Sequence, residues 1–437
     1  MTLELIPIGG FSEIGRNCAA LKVDDEVVIL DMGLHMEKYI EHNESEDIVD
    51  MSAQTLMDIG AIPDIRILGN LVDKVVAVCI GHAHLDHMGA AVFLSNNFNA
   101  PIYGTPFTME VMRAMVRDEK LNLKNPLVDE KENSKFRVSD NIEIEFINVT
   151  HSTPETVLMA VHTKYGVVLY ANDYKLDDHP TLGKKTNIAR IKELNVKALV
   201  IDCLYSTNPV KTPSEMIAKQ MLKEILLTEN HKGKNIFVTT FASHIARIKT
   251  IKELGAKMGR KVVFMGRSLA KYVSAAEEAN ITKFNDVTII KYSNKVKKFL
   301  AELKNTDKHL FVVTGHQGEP RAILSRIIDE DYFNFKPRDI IIFSCKIIPV
   351  QSNFDNREKL EAAIKSKHIK IYKDIHVSGH ASREDQRGFL HVVNAEHIIP
   401  VHGDRPRMQA MKNLAMEEGW DEKKIHMLKN GDRTILS

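Results

Sequence analysis

Four metal-capable side chains, His82, His84, Asp86 and His87, fall within the single stretch Gly81-His82-Ala83-His84-Leu85-Asp86-His87. Imidazole and carboxylate together suit zinc, and also manganese or iron. The apolar run 74–80 ahead of them reads as a buried strand. Alternate residues of an extended chain point the same way, so His82 and His84 can approach one ion together. Asp86 and His87 follow a bend and can reach a second ion beside the first. The competing reading is a polar turn with chance histidines. With 19 histidines in 437 residues, scattered ones carry little information, but this density directly after a buried strand is hard to reach by accident.

A hydrolytic site with two ions needs about three protein ligands for each, plus a bridge. His151 can join His82 and His84, and a later histidine can join Asp86 and His87. Asp173 is the natural bridge, because a carboxylate can share its two oxygens. Each of these is expected near a strand end. The strands read from alternation and glycine punctuation run 3–8, 17–23, 27–30, 74–80, 101–104, 141–149, 166–170 and 198–201. Asp31, His82, His151, Asp173 and Asp202 then sit just past strands, and a sheet whose strand ends converge on one rim would gather them into one pocket. Helices are expected near 89–95 and over 108–122. The acidic stretch 37–50 is expected as a surface excursion and 129–135 as a loop.

From about Ser206 the pattern changes to strands alternating with helices, which implies a parallel α/β sheet. From about Glu358 come a helix, a strand at 369–372, the turn Ser378-Gly379-His380-Ala381-Ser382, a helix, and a strand at 397–401 that leads into His402. The organisation expected is a first catalytic part (1–205), an insertion (206–355) and a returning catalytic part (356–437). Charge follows the same division. Residues 206–355 hold 25 Lys+Arg against 15 Asp+Glu, and the rest of the chain holds 34 against 43. A basic section on an acidic scaffold is the asymmetry of a module that holds a polyanion, although the whole chain carries only +1.

Apolar residues make up 44% and charged residues 27%, which suits a soluble globular protein. No apolar run reaches the ~20 residues of a membrane span. The N-terminus has no basic segment before an apolar one, so no signal peptide is expected. Cys18, Cys79, Cys203 and Cys345 are widely spaced in or beside apolar runs and read as reduced core residues. The expected location is the cytoplasm.

His82-x-His84-x-Asp86-His87, His151, Asp173 and His402 together resemble the signature of metallo-β-lactamase-fold hydrolases. Three further segments resemble the β-CASP motifs of nucleic-acid hydrolases: Asp202 within Val200–Asn208, His380 within Val377–Ser382, and His402 within Ile399–Asp404. Gly9–Asn17, Thr240–Arg247 and Thr314–Pro320 are similar to segments of the ribonuclease J family, a likeness that runs from about residue 5 to 430. The chain stops soon after His402, without the extra C-terminal domain of bacterial members or the KH modules of other archaeal relatives. It therefore resembles the core-only archaeal branch.

The resemblance implies an α/β fold: a metallo-β-lactamase αββα sandwich with an inserted α/β β-CASP domain. It implies two divalent ions held by His82, His84, Asp86, His87, His151, Asp173 and His402. Zinc is the first expectation, with manganese or magnesium as alternatives. The implied activity is 5′-to-3′ exonucleolytic hydrolysis of single-stranded RNA from 5′-monophosphate ends, with endonucleolytic cleavage beside it, by a homodimer without a membrane partner. His380, Asp202 and Asp86 are the expected catalytic residues. His380 is placed to contact the phosphate or protonate the leaving oxygen, with Asp202 orienting it or a metal ligand. Asp31 is expected to fix a histidine tautomer. Ser378, Gly379, Ala381 and Ser382 around His380 would suit a phosphate, and the 314–320 loop with Arg321 would line the RNA path. Two other functions compete. A thioester or lactone hydrolase would use the same metal ligands but needs neither His380 nor the basic insertion. A non-catalytic RNA-binding subunit would be expected to have lost ligands, and none is missing.

Overall fold

A computed structural model describes residues 2–45 and 52–436. The chain divides into two compact units. The first comprises 1–178, 183–212 and 379–437, and the second 179–182 and 213–378.

Two sheets face each other in the first unit. One carries Leu3–Gly9, Cys18–Val23 and Glu26–Leu30 as antiparallel neighbours, then Val75–Cys79, Ile102–Gly104 and Leu127–Asp129 in parallel, with the short Thr434–Ile435 on its first edge. The other runs His397–Val401, Val196–Asp202 and Gly166–Ala171 in parallel, then Val157–Thr163, Glu143–Asn148 and Ser134–Arg137 antiparallel. Strand alternation sorts the apolar side chains. Val168, Tyr170, Ala198, Val200, Ile399 and Val401 join Leu5, Leu21, Val28 and Cys79 in the core between the sheets. Leu169, Ala171, Leu199, Ile201 and Ile398 face the other way, against Ile191, Phe389, Leu390, Met411 and Leu414 of the covering helices Ile188–Lys192, Arg383–Val393 and Arg405–Glu417.

Strand His397–Val401 is the edge of its sheet. The Val401 carbonyl accepts from Cys203 N–H on the inner side, and the Ile398 carbonyl accepts from His426 N–H. Alternation then turns Pro400, which has no N–H to offer, toward the outer side.

The second unit is a parallel six-stranded sheet in the order Val287–Ile290, Lys261–Met265, His309–Val313, Ile236–Thr239, Ile340–Phe343, Lys370–Tyr372. Its most buried charge is Arg247. The guanidinium grips Glu215 at 2.6 and 2.8 Å and reaches the carbonyls of Ser344 and Ile375, both at 3.0 Å. Arg247→Met would take the guanidinium from the buried Glu215 carboxylate, which also has His244 at 3.5 Å, at a cost of ~3–5 kcal/mol. Chemical denaturation is expected to show a loss of that size.

The sequence boundary at 355 moves to 378. Helix Gln351–Ser366 leads into Lys370–Tyr372, which pairs with Ile340–Phe343 and so completes the inserted sheet. Charge composition had marked the basic run but not the last strand. Residues 213–378 hold 30 Lys+Arg against 18 Asp+Glu. Local differences are also present. Val157–Thr163 is a strand that the pattern did not single out. The 129–135 segment ends one strand and begins another, with a loop only between them. The acidic stretch begins as helix Met36–Ser45, and residues 46–50 lie outside the described residues. No helix among the described residues is long and apolar enough to cross a membrane.

Candidate metal centre

Parallel strand ends from both sheets meet at one rim of the first unit. Glu26–Leu30 delivers Asp31, Val75–Cys79 delivers His82, Gly166–Ala171 delivers Asp173, and His397–Val401 delivers His402. Asp202 is the last residue of its strand. Asp31, Asp173 and His402 turn the chain in the left-handed region, with φ of 60°, 49° and 58°. Asp and His adopt that region more readily than most non-glycine residues, so these positions serve backbone and chemistry together.

Around Asp173 the side chains form two groups, one of His82, His84 and His151 with Asp173 and one of Asp86, His87 and His402. A third, overlapping set joins Asp173, His402 and His380. Asp173 Oδ2 lies 3.4 Å from His82 Nε2 and 3.4 Å from His151 Nε2. His84 Nδ1 completes this group, 3.1 Å from His82 Nε2 and 3.2 Å from His151 Nε2. On the other side, Asp173 Oδ1 lies 3.2 Å from His87 Nε2 and 3.7 Å from His402 Nε2. Asp86 Oδ2 closes the second group, 3.6 Å from His87 Nε2 and 3.9 Å from His402 Nε2.

Outer partners fix which nitrogens face inward. His87 Nδ1–H donates to Asp31 Oδ2 at 2.7 Å, and Asp31 Oδ1 accepts from Gly81 N–H at 2.8 Å. His151 Nδ1–H donates to the Gly379 carbonyl at 2.7 Å. Each leaves Nε2 directed at Asp173, the arrangement that second partners impose on metal-binding histidines. Asn17, not singled out as a site residue from sequence, is fully buried here. Its Nδ2 lies 3.0 Å from His87 Nε2 and 3.1 Å from His402 Nδ1, and donates to the Asp86 carbonyl. Its signals were its place at the end of the family-like segment Gly9–Asn17 and its polarity just before the apolar strand that begins at Cys18.

The donor set fits divalent ions. Burial, with neighbouring imidazoles adding to it, pushes His82 down to about 4 and His84 down to about 3, and burial holds His151 well below its usual range. All three are therefore neutral donors at pH 7, as metal ligation requires. Burial opposes a charge on His87, but Asp173, Asp86 and Asp31 outweigh it and raise its pKa well above the usual range. The same carboxylates favour a cation at that nitrogen. Asp173 Oδ1 is buried without a hydrogen-bond partner, which suits an oxygen meant for an ion.

Segment 32–34 holds the second group in place. Met32 N–H donates to the His87 carbonyl and Leu34 N–H to the Leu85 carbonyl. A Cβ on Gly33 would lie 1.7 Å from the Asp86 carbonyl oxygen. Gly33→Ala must push Asp86 and His87 outward. Metal analysis is expected to show loss from this group, with activity down about a hundred-fold, the scale of a misplaced reacting centre.

His380 stands beside both groups. Its Nε2 is 3.7 Å from Asp173 Oδ2, and Nδ1–H donates to Asp202 Oδ2 at 2.8 Å. Burial works against its protonation, but Asp173 and Asp202 carry its pKa up to about 9. Thr212 anchors this turn by donating to the His380 carbonyl and accepting from Ser382 N–H. The expected phosphate cradle is only partly available. Ala381 N–H donates to the Tyr174 carbonyl, and the Ser382 hydroxyl and N–H are both engaged by Thr212. Gly379 packs against His151 and Ser152, where a Cβ would come within 3.0 Å of each. Ser378 is the last residue of the second unit.

Comparison with known families matches three models in order along the chain. Residues 59–231 match the beta-lactamase superfamily domain, 233–363 the ribonuclease J beta-CASP domain, and 366–427 the Zn-dependent metallo-hydrolase RNA specificity domain. Ribonuclease J of Pyrococcus abyssi is 38% identical over 98% of this chain and 96% of its own length. The chain belongs to the ribonuclease J family. Ribonuclease J of Methanocaldococcus jannaschii is also 38% identical, over 99% of this chain and 98% of its own. Ribonuclease J 1 of Streptococcus pyogenes is 30% identical, with 74% of its length matched. The fold is thus the metallo-β-lactamase sandwich with a β-CASP insertion. A solved protein of unknown function from Enterococcus faecalis shares the fold, with a TM-score of 0.67 at 17% identity over the whole of both chains.

Proposed function

We propose that the chain hydrolyses RNA phosphodiester bonds with two divalent ions, chiefly 5′-to-3′ from 5′-monophosphate ends, releasing 5′-nucleotides, with internal cleavage as a second mode. The His380–Asp202 pair facing the bridging carboxylate carries this reading, since a thioester or lactone hydrolase has no use for it. His82, His84 and His151 would hold one ion and Asp86, His87 and His402 the other, with Asp173 between them; zinc is the first choice. Two divalent ions in such a site supply a nucleophile from water at neutral pH and positive charge opposite the scissile phosphate. The chain's own contribution is positional. Asp31 and the Gly379 carbonyl orient His87 and His151, and Asp202 keeps the His380 proton on Nδ1 and its charge in place. His380 Nε2–H then donates to the phosphate or to the leaving 3′-oxygen.

Four buried, unpaired cysteines agree with a cytoplasmic setting, and family likeness carries the homodimer. The basic second unit is assigned to the RNA strand. Its phosphate contacts release counterions, so binding is expected to weaken steeply with salt. Charge-neutral replacements of its exposed lysines should lower that slope with metal content unchanged, and an unaltered slope across several replacements would remove the unit from the RNA path.

The deciding experiment digests one RNA as a linear 5′-monophosphate and as a closed circle, with zinc and with manganese. Loss of the linear form alone, to mononucleotides, supports end-dependent exonucleolysis. Cutting of both makes the enzyme chiefly an endonuclease. Hydrolysis of a thioester or lactone with both RNAs intact overturns the substrate class.

A further inference from the structure

Three loops leave the same rim of the second unit, because strands Ile236–Thr239, His309–Val313 and Lys370–Tyr372 run parallel in one sheet. They carry Phe241, His316 and His376. Open α/β sheets take their ligands at this rim. Phe241 is half-buried and packs on the sheet's core. The His316 ring meets it at 4.2 Å, inclined by 62°, and the His376 ring lies 6.1 Å away.

The loop bearing His316 is held firmly. Arg357 donates to the His316 carbonyl at 2.7 Å, and Gln317 clasps the Lys346 carbonyl and Ile348 N–H. Yet His316 Nε2 and His376 Nδ1 are buried with no hydrogen-bond partner. Such groups are scarce in folded proteins and call for an explanation. Both imidazoles are neutral. Burial lowers His316, and burial with Arg247 and His244 pushes His376 down to about 2. The guanidinium nearby, Arg247, is engaged by Glu215, Ser344 and Ile375. A neutral aromatic surface suits the face of a base more than a phosphate, and base stacking on such rings tolerates any sequence. The exposed Lys346, whose charge is felt at His376, suits the strand's backbone.

We propose that Phe241, steadied by His316 and His376, is a stacking platform for one unpaired base of a single-stranded RNA. The inference rests on the RNA reading above and adds the subsite by which the second unit grips bases as well as phosphates.

The test measures binding of a short, hydrolysis-resistant phosphorothioate RNA to the metal-loaded protein, with single abasic positions scanned along the strand. Phe241→Leu, which keeps apolar bulk under the loop, is expected to weaken binding about five-fold or more, with Phe241→Trp restoring it. The salt slope should stay unchanged, since no phosphate contact is lost. One abasic position should cost the wild type as much as the leucine does, and cost the leucine variant nothing further. Wild-type affinity in both Phe241→Leu and Phe241→Ala overturns the platform and leaves the RNA reading standing, as does a slope that falls by about one. Failure of the wild-type protein to bind RNA overturns both.

Discussion

Asp173→Ala is expected to empty both metal groups at once. Its Oδ2 faces His82 and His151 while its Oδ1 faces His87 and His402, and among the described residues no other single carboxylate serves both. Turnover should fall at least about a thousand-fold, the scale of removing a group that organises the reacting charge. Metal bound per chain should drop with it. Asp31→Asn is the useful comparison. It removes the carboxylate charge that holds the His87 tautomer, so affinity for one ion should weaken about ten- to a hundred-fold while the other stays bound. An Asp173→Ala protein with full activity and two ions would remove the bridge assignment.

His380→Ala is expected to separate chemistry from metal. Proton donation by a positioned side chain is worth roughly 10²- to 10⁴-fold, and kcat should fall by that amount with both ions retained. The imidazole is 3.7 Å from Asp173 and could share an ion with Asp173 and His402, but it belongs to neither of the two groups assigned to the ions. Asp202→Asn should fall in between, because the imidazole remains while its partner at 2.8 Å loses its charge. Loss of an ion from the His380→Ala protein would make His380 a ligand instead.

The cluster of candidate ligands was legible because the chemistry is local. Four candidates within six residues need no knowledge of the fold, and strand alternation then places His151, Asp173 and His402 at strand ends. The pairing of His380 with Asp202 crosses 178 residues, and only likeness to known motifs suggested it. Asn17 escaped because nothing in its neighbours signals contact with His87 and His402, which lie 70 and 385 residues away. The second domain boundary escaped for another reason. Charge reports on solvent and partners, whereas the boundary is set by which sheet the strand Lys370–Tyr372 joins. Ser and Gly in a turn serve internal hydrogen bonds as readily as a ligand, and here Thr212 already engages Ser382.

Pro400 bears on how the molecule keeps to itself. Exposed sheet edges template further strands and seed aggregation. The His397–Val401 edge lacks an outward N–H at Pro400, and its Ile398 carbonyl is taken by His426. A neighbouring copy therefore finds no continuous ladder there. The second sheet is thereby closed to extension by another copy on this side, whatever its other edge strand Ser134–Arg137 allows.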